Sequence, residues 1–153
     1  MRKKIISKSL SRYLAVQAIF NQSFGFDKKK IEQDFFDQND SKFNIDLECE
    51  LDIKKFNKIF FKKIFNNVFE KEEYIYDLIS KNLESSWTLS RLPKVLQAIL
   101  KVAISEMITY PRTSIGIIIT EYLMLAESFS IEKETNFINA ILDKIHKTIQ
   151  VNE

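Results

Sequence analysis

Glycine and proline occur twice each in 153 residues, and cysteine and histidine once each. Hairpins and tight β connections depend on glycine and proline, so their scarcity predicts helices joined by short polar turns. A single cysteine, Cys49, cannot close an internal disulfide, which fits a reducing cytosol. With one histidine, His146, a Cys/His zinc site is excluded, and a Ser-His-Asp triad could rest only on His146, on the polar side of the final helix. Cys49 lies among Asp46, Glu48, Glu50 and Asp52, whose charges disfavour the thiolate a nucleophile needs. Gly25 and Gly116 cannot build a phosphate-cradling loop, and the adjacent Glu72 and Glu73 diverge on a helix. No enzyme, metal or cofactor is expected. Long apolar runs are also missing. The longest uncharged stretch, Tyr13 to Phe26, has 14 residues and includes Gln17, Asn21 and Gln22, too short and polar to span a bilayer. Lys8 and Arg12 interrupt any signal-peptide core.

What is present fits one helical domain over residues 1–153. Apolar residues make up 45% of the chain, including 13 phenylalanines, enough for a bulky core. The net charge of +2 is unevenly placed. Arg2, Lys3, Lys4, Lys8 and Arg12 give the first 26 residues +5, with no acid before Asp27, whereas residues 31–52 carry eight acids against Lys42. The reading is a basic flexible arm over 1–8 and an acidic loop over 37–51.

About seven helices are predicted, with no strand. The first starts near Ser9 or Ser11, is apolar nearly all round between Leu10 and Phe20, and ends at Gly25, so it is read as central and buried. A short helix follows over 28–36. Asp52 is expected to cap a helix through Phe56, Phe60, Ile64 and Val68, kinked at Asn66 and Asn67 and resuming to Leu83. Pro93 sits in the first turn of a helix, capped from Ser90 or Leu92, that runs to Thr109, and Pro111 stops it. The periodicity of Ile115 to Phe129 gives another helix, and Glu132 to Ile149 the last, burying Ile138, Ile141, Leu142, Ile145 and Ile149.

Three collinear runs go beyond composition: "RYLAVQAIF" from Arg12, "LSRLPKVLQAILKVAISEM" from Leu89 and "ITEYLMLAESFSIEKETNFINAILDKI" from Ile119. Their order and spacing resemble the bacterial transcription antitermination factor NusB family. The resemblance covers nearly the whole chain, is strongest from Trp87 to Ile145 and weakest from Phe26 to Asp52. It implies an all-α fold of two packed helical bundles. It also implies a cytoplasmic protein that binds boxA-type single-stranded RNA together with the ribosomal protein NusE in the transcription elongation complex, supporting ribosomal RNA transcription. Departures are concentrated in bases and glycines. Only Arg12 remains of the family's early arginine cluster, Lys101 stands for arginine, Glu127 and Asn136 for lysine, and Ser130 and Ala140 for glycine. Fewer guanidinium forks predict weaker phosphate contact.

Under this resemblance Arg2, Lys3, Lys4, Lys8 and Arg12 are expected to hold phosphates. Asn82, Phe129, Lys133, Asn136 and Phe137 are expected near RNA, with Phe137 stacking on a splayed base. Phe20, Ser90 and Leu96 match the NusE-facing surface, while Glu106 and Glu121 are read as helix-to-helix pairing acids. Two alternatives stand beside this reading. One is a protein-only scaffold or homodimer without RNA binding. The other is the RNA-binding front end of an rRNA cytosine methyltransferase.

Overall fold

A computed structural model describes residues 2–25, 27–30 and 56–152, the side chains of 2–6 and 152 excepted. The acidic loop, Cys49, Asp52 and most of the helix expected at 28–36 lie outside the described residues; a helical segment does begin at Lys28. Six further helices follow the order α1 (Arg2–Gln22), α2 (Lys58–Glu70), α3 (Glu72–Asn82), α4 (Lys94–Thr109), α5 (Ile115–Ser128) and α6 (Thr135–Asn152), with 3-10 turns at Leu89–Arg91 and Glu132–Glu134. Among the described residues there is no strand.

The spine is α4. It buries ten of its residues, Leu96 to Met107 apart from Gln97 and Lys101, and packs against α1, α2, α3, α5 and α6. One bundle is α1 and α2 on α4; the other is α3, α5 and α6 on the same helix. Close approach comes from small residues. Ala15 and Ala18 on α1 and Ala103 on α4 are fully buried. Two hydroxyls tie α2 to α4: the buried Ser105 Oγ donates to the Ile64 carbonyl (2.6 Å), and the half-buried Thr109 Oγ1 accepts from Asn67 Nδ2 (2.7 Å).

Two helix starts are shifted by a few residues: Pro93 itself is the N-cap of α4, with no side-chain cap from Ser90, and α6 begins at Thr135 after the 3-10 turn at Glu132–Glu134. Three other differences have a clear physical cause. First, α1 begins at Arg2, not at Ser9 or Ser11, because both serines are spent on tertiary contacts. Ser11 Oγ donates to the Asn57 carbonyl (2.9 Å) and accepts the Asn57 N–H (2.8 Å), pinning the start of α2 to α1. Second, Asn57 caps α2, accepting the Phe60 N–H, and Phe56 lies in a bend before it. Third, the break falls at Lys71, between α2 and α3, rather than at Asn66 and Asn67, since Asn67 is held by Thr109. Gly25 acts as read, taking φ +92 after α1. Ser114, not singled out in the sequence, caps α5 by accepting the Ile117 N–H.

The end of α5 explains one departure from the family pattern. Ser130 N–H bonds to the Glu127 carbonyl and Ile131 N–H to the Ala126 carbonyl, the paired bonds of a Schellman motif. That motif needs a left-handed residue, and Ser130 has φ +61. Glycine takes this geometry without steric cost; serine does not.

Candidate nucleic-acid interface

The basic arm divides in two. Arg2, Lys3 and Lys4 ride on the first turns of α1, with side chains outside the described residues. Lys8 is exposed, its ammonium 5.5 Å from the centre of the Phe60 ring.

Arg12 is different and corrects the sequence reading. It is 4% exposed, and its guanidinium makes a two-pronged contact with Glu106, Nε to Oε1 and Nη2 to Oε2, both 2.7 Å. A third nitrogen, Nη1, reaches Glu121 Oε1 at 3.1 Å, and Phe60 lies under the guanidinium plane at 5.1 Å. Ser9 Oγ donates to Glu121 (2.8 Å) and the Tyr122 hydroxyl donates to Glu106 Oε1 (2.7 Å). Glu106 is 0% exposed. Burial by itself lowers the Arg12 pKa, but the Glu106 hydrogen bond and charge outweigh it, leaving the guanidinium above its ordinary value. Burial, and then the charge of Glu106, push the Tyr122 phenol well above its usual range. Arg12 is thus the counter-ion of two carboxylates from α4 and α5, with no fork left for a phosphate. Glu106 and Glu121 do pair helices, as read from the sequence.

The turn from α5 to α6 gathers the other expected RNA residues. Phe129, at the C-cap of α5, stacks on Tyr13 of α1 with ring centres 5.0 Å apart and planes 9° from parallel. Lys133 and Asn136 are exposed, and Phe137 is half-buried at the edge of the core. Tyr13 was not singled out by sequence reasoning, nor was Gln17 one turn further along α1, whose Oε1 is buried without a hydrogen-bond partner among the described residues. A Tyr-x-x-x-Gln step on an otherwise apolar helix is the signal that was there to find. Asn82 stands apart: its amide closes the end of α3 by donating to the Leu78 carbonyl (2.8 Å).

Of the expected partner residues, Leu96 is 1% exposed and belongs to the core, because the face of α4 that carries it is covered. Phe20 and Ser90 are accessible, Phe20 half-buried and Ser90 exposed. Phe20 meets Phe24 edge-on at 4.9 Å, Phe24 is 57% exposed, and Lys94 lies 5.2 Å over the Phe24 ring while donating to the Ser23 carbonyl (3.1 Å). The end of α1 and the start of α4 therefore share one aromatic, basic-edged surface.

A third feature was not foreseen. The first half of α1, the α4–α5 connection and the outer face of α5 enclose an open cleft of about 1040 Å³, lined among others by Lys8, Tyr110, Arg112, Ile117 and Thr120. Among the described residues no cluster of histidine, cysteine and carboxylate side chains suited to a metal ion occurs, and no helix is long and apolar enough to cross a membrane.

Against known proteins, the NusB family model matches residues 9–147. The transcription antitermination protein NusB of Rickettsia africae (strain ESF-5) is 32% identical over 151 residues, covering 94% of each chain. Among solved structures, that of T. maritima NusB shares 26% identity with a TM-score of 0.71, over 91% of this chain and 89% of that one. The NusB of a crystal structure of antitermination factors NusB and NusE in complex with dsRNA superimposes with a TM-score of 0.70 at 19% identity, covering 97% of this chain and 98% of that one.

Proposed function

The chain belongs to the NusB family, and from that premise we propose that it is a transcription antitermination factor that binds boxA-type single-stranded RNA together with the ribosomal protein NusE in the elongation complex. It works by assembly rather than by bond-making chemistry. The observation that carries this reading is the α1/α5–α6 surface, where the Tyr13–Phe129 stack, the half-buried Phe137 and the exposed Lys133 and Asn136 lie around one turn. Unstacked bases gain from aromatic edges and amide groups of this kind, while bases on α1 supply sequence-independent attraction for phosphate. The Phe20–Phe24–Lys94 surface, together with the exposed Ser90 in the turn that precedes α4, is the face offered to NusE.

With Arg12 held by carboxylates, Lys8 and the residues before it carry the phosphate contacts of the arm. Lysines are point charges and lack the guanidinium fork, so RNA alone binds weakly and NusE supplies much of the affinity. A gel shift with a boxA oligonucleotide, with and without NusE, tests this. The shift should be faint with the protein alone and clearly tighter in the ternary mixture; equal affinity in both titrations overturns the cooperative reading.

A further inference from the structure

The cleft between α1 and α5 is absorbed neither by the aromatic turn nor by the Phe20 surface. Its charge is settled by the ion pairs around it. Lys8 and Arg112 stand on its walls, both exposed, and neither has a carboxylate partner among the ion pairs of the described residues. The acid on the same wall, Glu121, accepts from Ser9 and pairs with Arg12; because Arg12 also answers Glu106, these three charges together leave one negative charge against the two cations Lys8 and Arg112. The cleft therefore presents net positive charge.

Its other groups are hydroxyl donors and apolar surface. Tyr110 is held protonated, its pKa raised by burial and by Glu106, and Thr120 lies exposed on α5. Ile117 is 50% exposed, a large apolar side chain left on the wall of a polar cleft. Cations and O–H donors suit phosphate oxygens, and an apolar wall suits the flat face of a base or ribose. The volume is at the upper end of small-ligand sites, room for one nucleotide. Lys8 lies on α1, the helix whose first turns carry the other early bases in sequence, so a strand following that helix would reach the cleft directly.

We propose that this cleft binds one nucleotide unit of a single-stranded RNA, phosphate at Lys8 and Arg112 and base against Ile117, at a site separate from the Phe129–Phe137 turn. The proposal rests on the RNA-binding reading above. Two variants probe it without touching the core. Arg112→Ala removes the cation. Gly116→Trp fills space: a Cβ at Gly116 meets only Ser114 Oγ, at 3.9 Å, so the added ring grows into open volume at the cleft wall.

The assay is fluorescence titration of the full chain, with NusE present, against a labelled single-stranded boxA oligonucleotide at several salt concentrations, with melting curves alongside. Each variant should melt like the parent and bind about tenfold more weakly, the scale of one lost base or phosphate contact. Arg112→Ala should also flatten the salt slope by about 0.7, one phosphate on a single strand, whereas Gly116→Trp should leave it unchanged. Parental affinity in both variants overturns the cleft while leaving RNA binding intact. If the parent binds no RNA even with NusE, both readings fall. Uridine monophosphate, titrated by calorimetry, separates the sources: binding of the free nucleotide that both variants abolish, without loss of RNA affinity, would make the cleft a mononucleotide site and overturn its assignment to RNA.

Discussion

Replacing Arg12 with methionine should cost about 3–5 kcal/mol of stability, the range for removing one partner of a buried ion pair. The magnitude follows from the geometry around Glu106. That carboxylate is fully buried and receives two 2.7 Å bonds from Arg12 and one from Tyr122. Methionine fills much of the arginine volume but leaves the carboxylate charged, desolvated and reduced to a single donor. Glu121, at the rim, keeps Ser9 and reaches solvent, so it adds little. With a urea slope of about 2 kcal/mol/M for a domain of this size, the unfolding midpoint should fall by roughly 2 M. The double variant Arg12→Met with Glu106→Gln should recover much of the loss, because a neutral amide can still accept from Tyr122 and no unpaired charge remains. A phosphate-gripping Arg12 would behave in the opposite way: stability nearly unchanged and the RNA salt slope lowered by about 0.7. A loss below about 1 kcal/mol in Arg12→Met, or a double variant no better than the single, would refute the assignment of Arg12 to the fold.

Three other substitutions have defined outcomes. Tyr122 is buried with its pKa raised, so above about pH 10 the unfolded phenol ionises while the folded one keeps its proton. The folded state then binds more protons, and stability falls as pH rises from there, by up to about 1.4 kcal/mol per pH unit. Tyr122→Phe should lose about 1–2 kcal/mol near neutrality and show a shallower alkaline decline in urea midpoints taken from pH 8 to 11; an identical alkaline slope refutes the linkage. Ser130→Gly relieves a left-handed serine and should raise the melting temperature by about 1–3 °C, against the small entropic penalty of glycine in the unfolded chain. Phe137→Ala should weaken RNA binding by about 1–3 kcal/mol with the salt slope unchanged, and full affinity in a folded variant removes Phe137 from the reading surface.

Sequence alone determined the features that are local. Two glycines and two prolines pointed to helices, the three- and four-residue spacing of Ile115 to Phe129 marked a helix that the structure contains, and that of Ile138 to Ile149 marked a stripe that is buried. Gly25 and the stop at Pro111 were legible because φ preferences act within one or two residues. Tertiary structure decided everything that depends on distant partners. Five early bases look alike in the sequence, and Arg12 is set apart only because Glu106, 94 positions away, and Glu121 meet it in the interior. Ser9 and Ser11 read as caps, yet their hydroxyls serve Glu121 and Asn57. Leu96, matched by resemblance to a partner-facing surface, is buried because five helices pack on α4, and the cleft at Arg112 exists only where α1, the α4–α5 connection and α5 converge. Periodicity tells which face of a helix is apolar; it does not tell which charge that face will desolvate, because desolvation is set by whatever packs across from it.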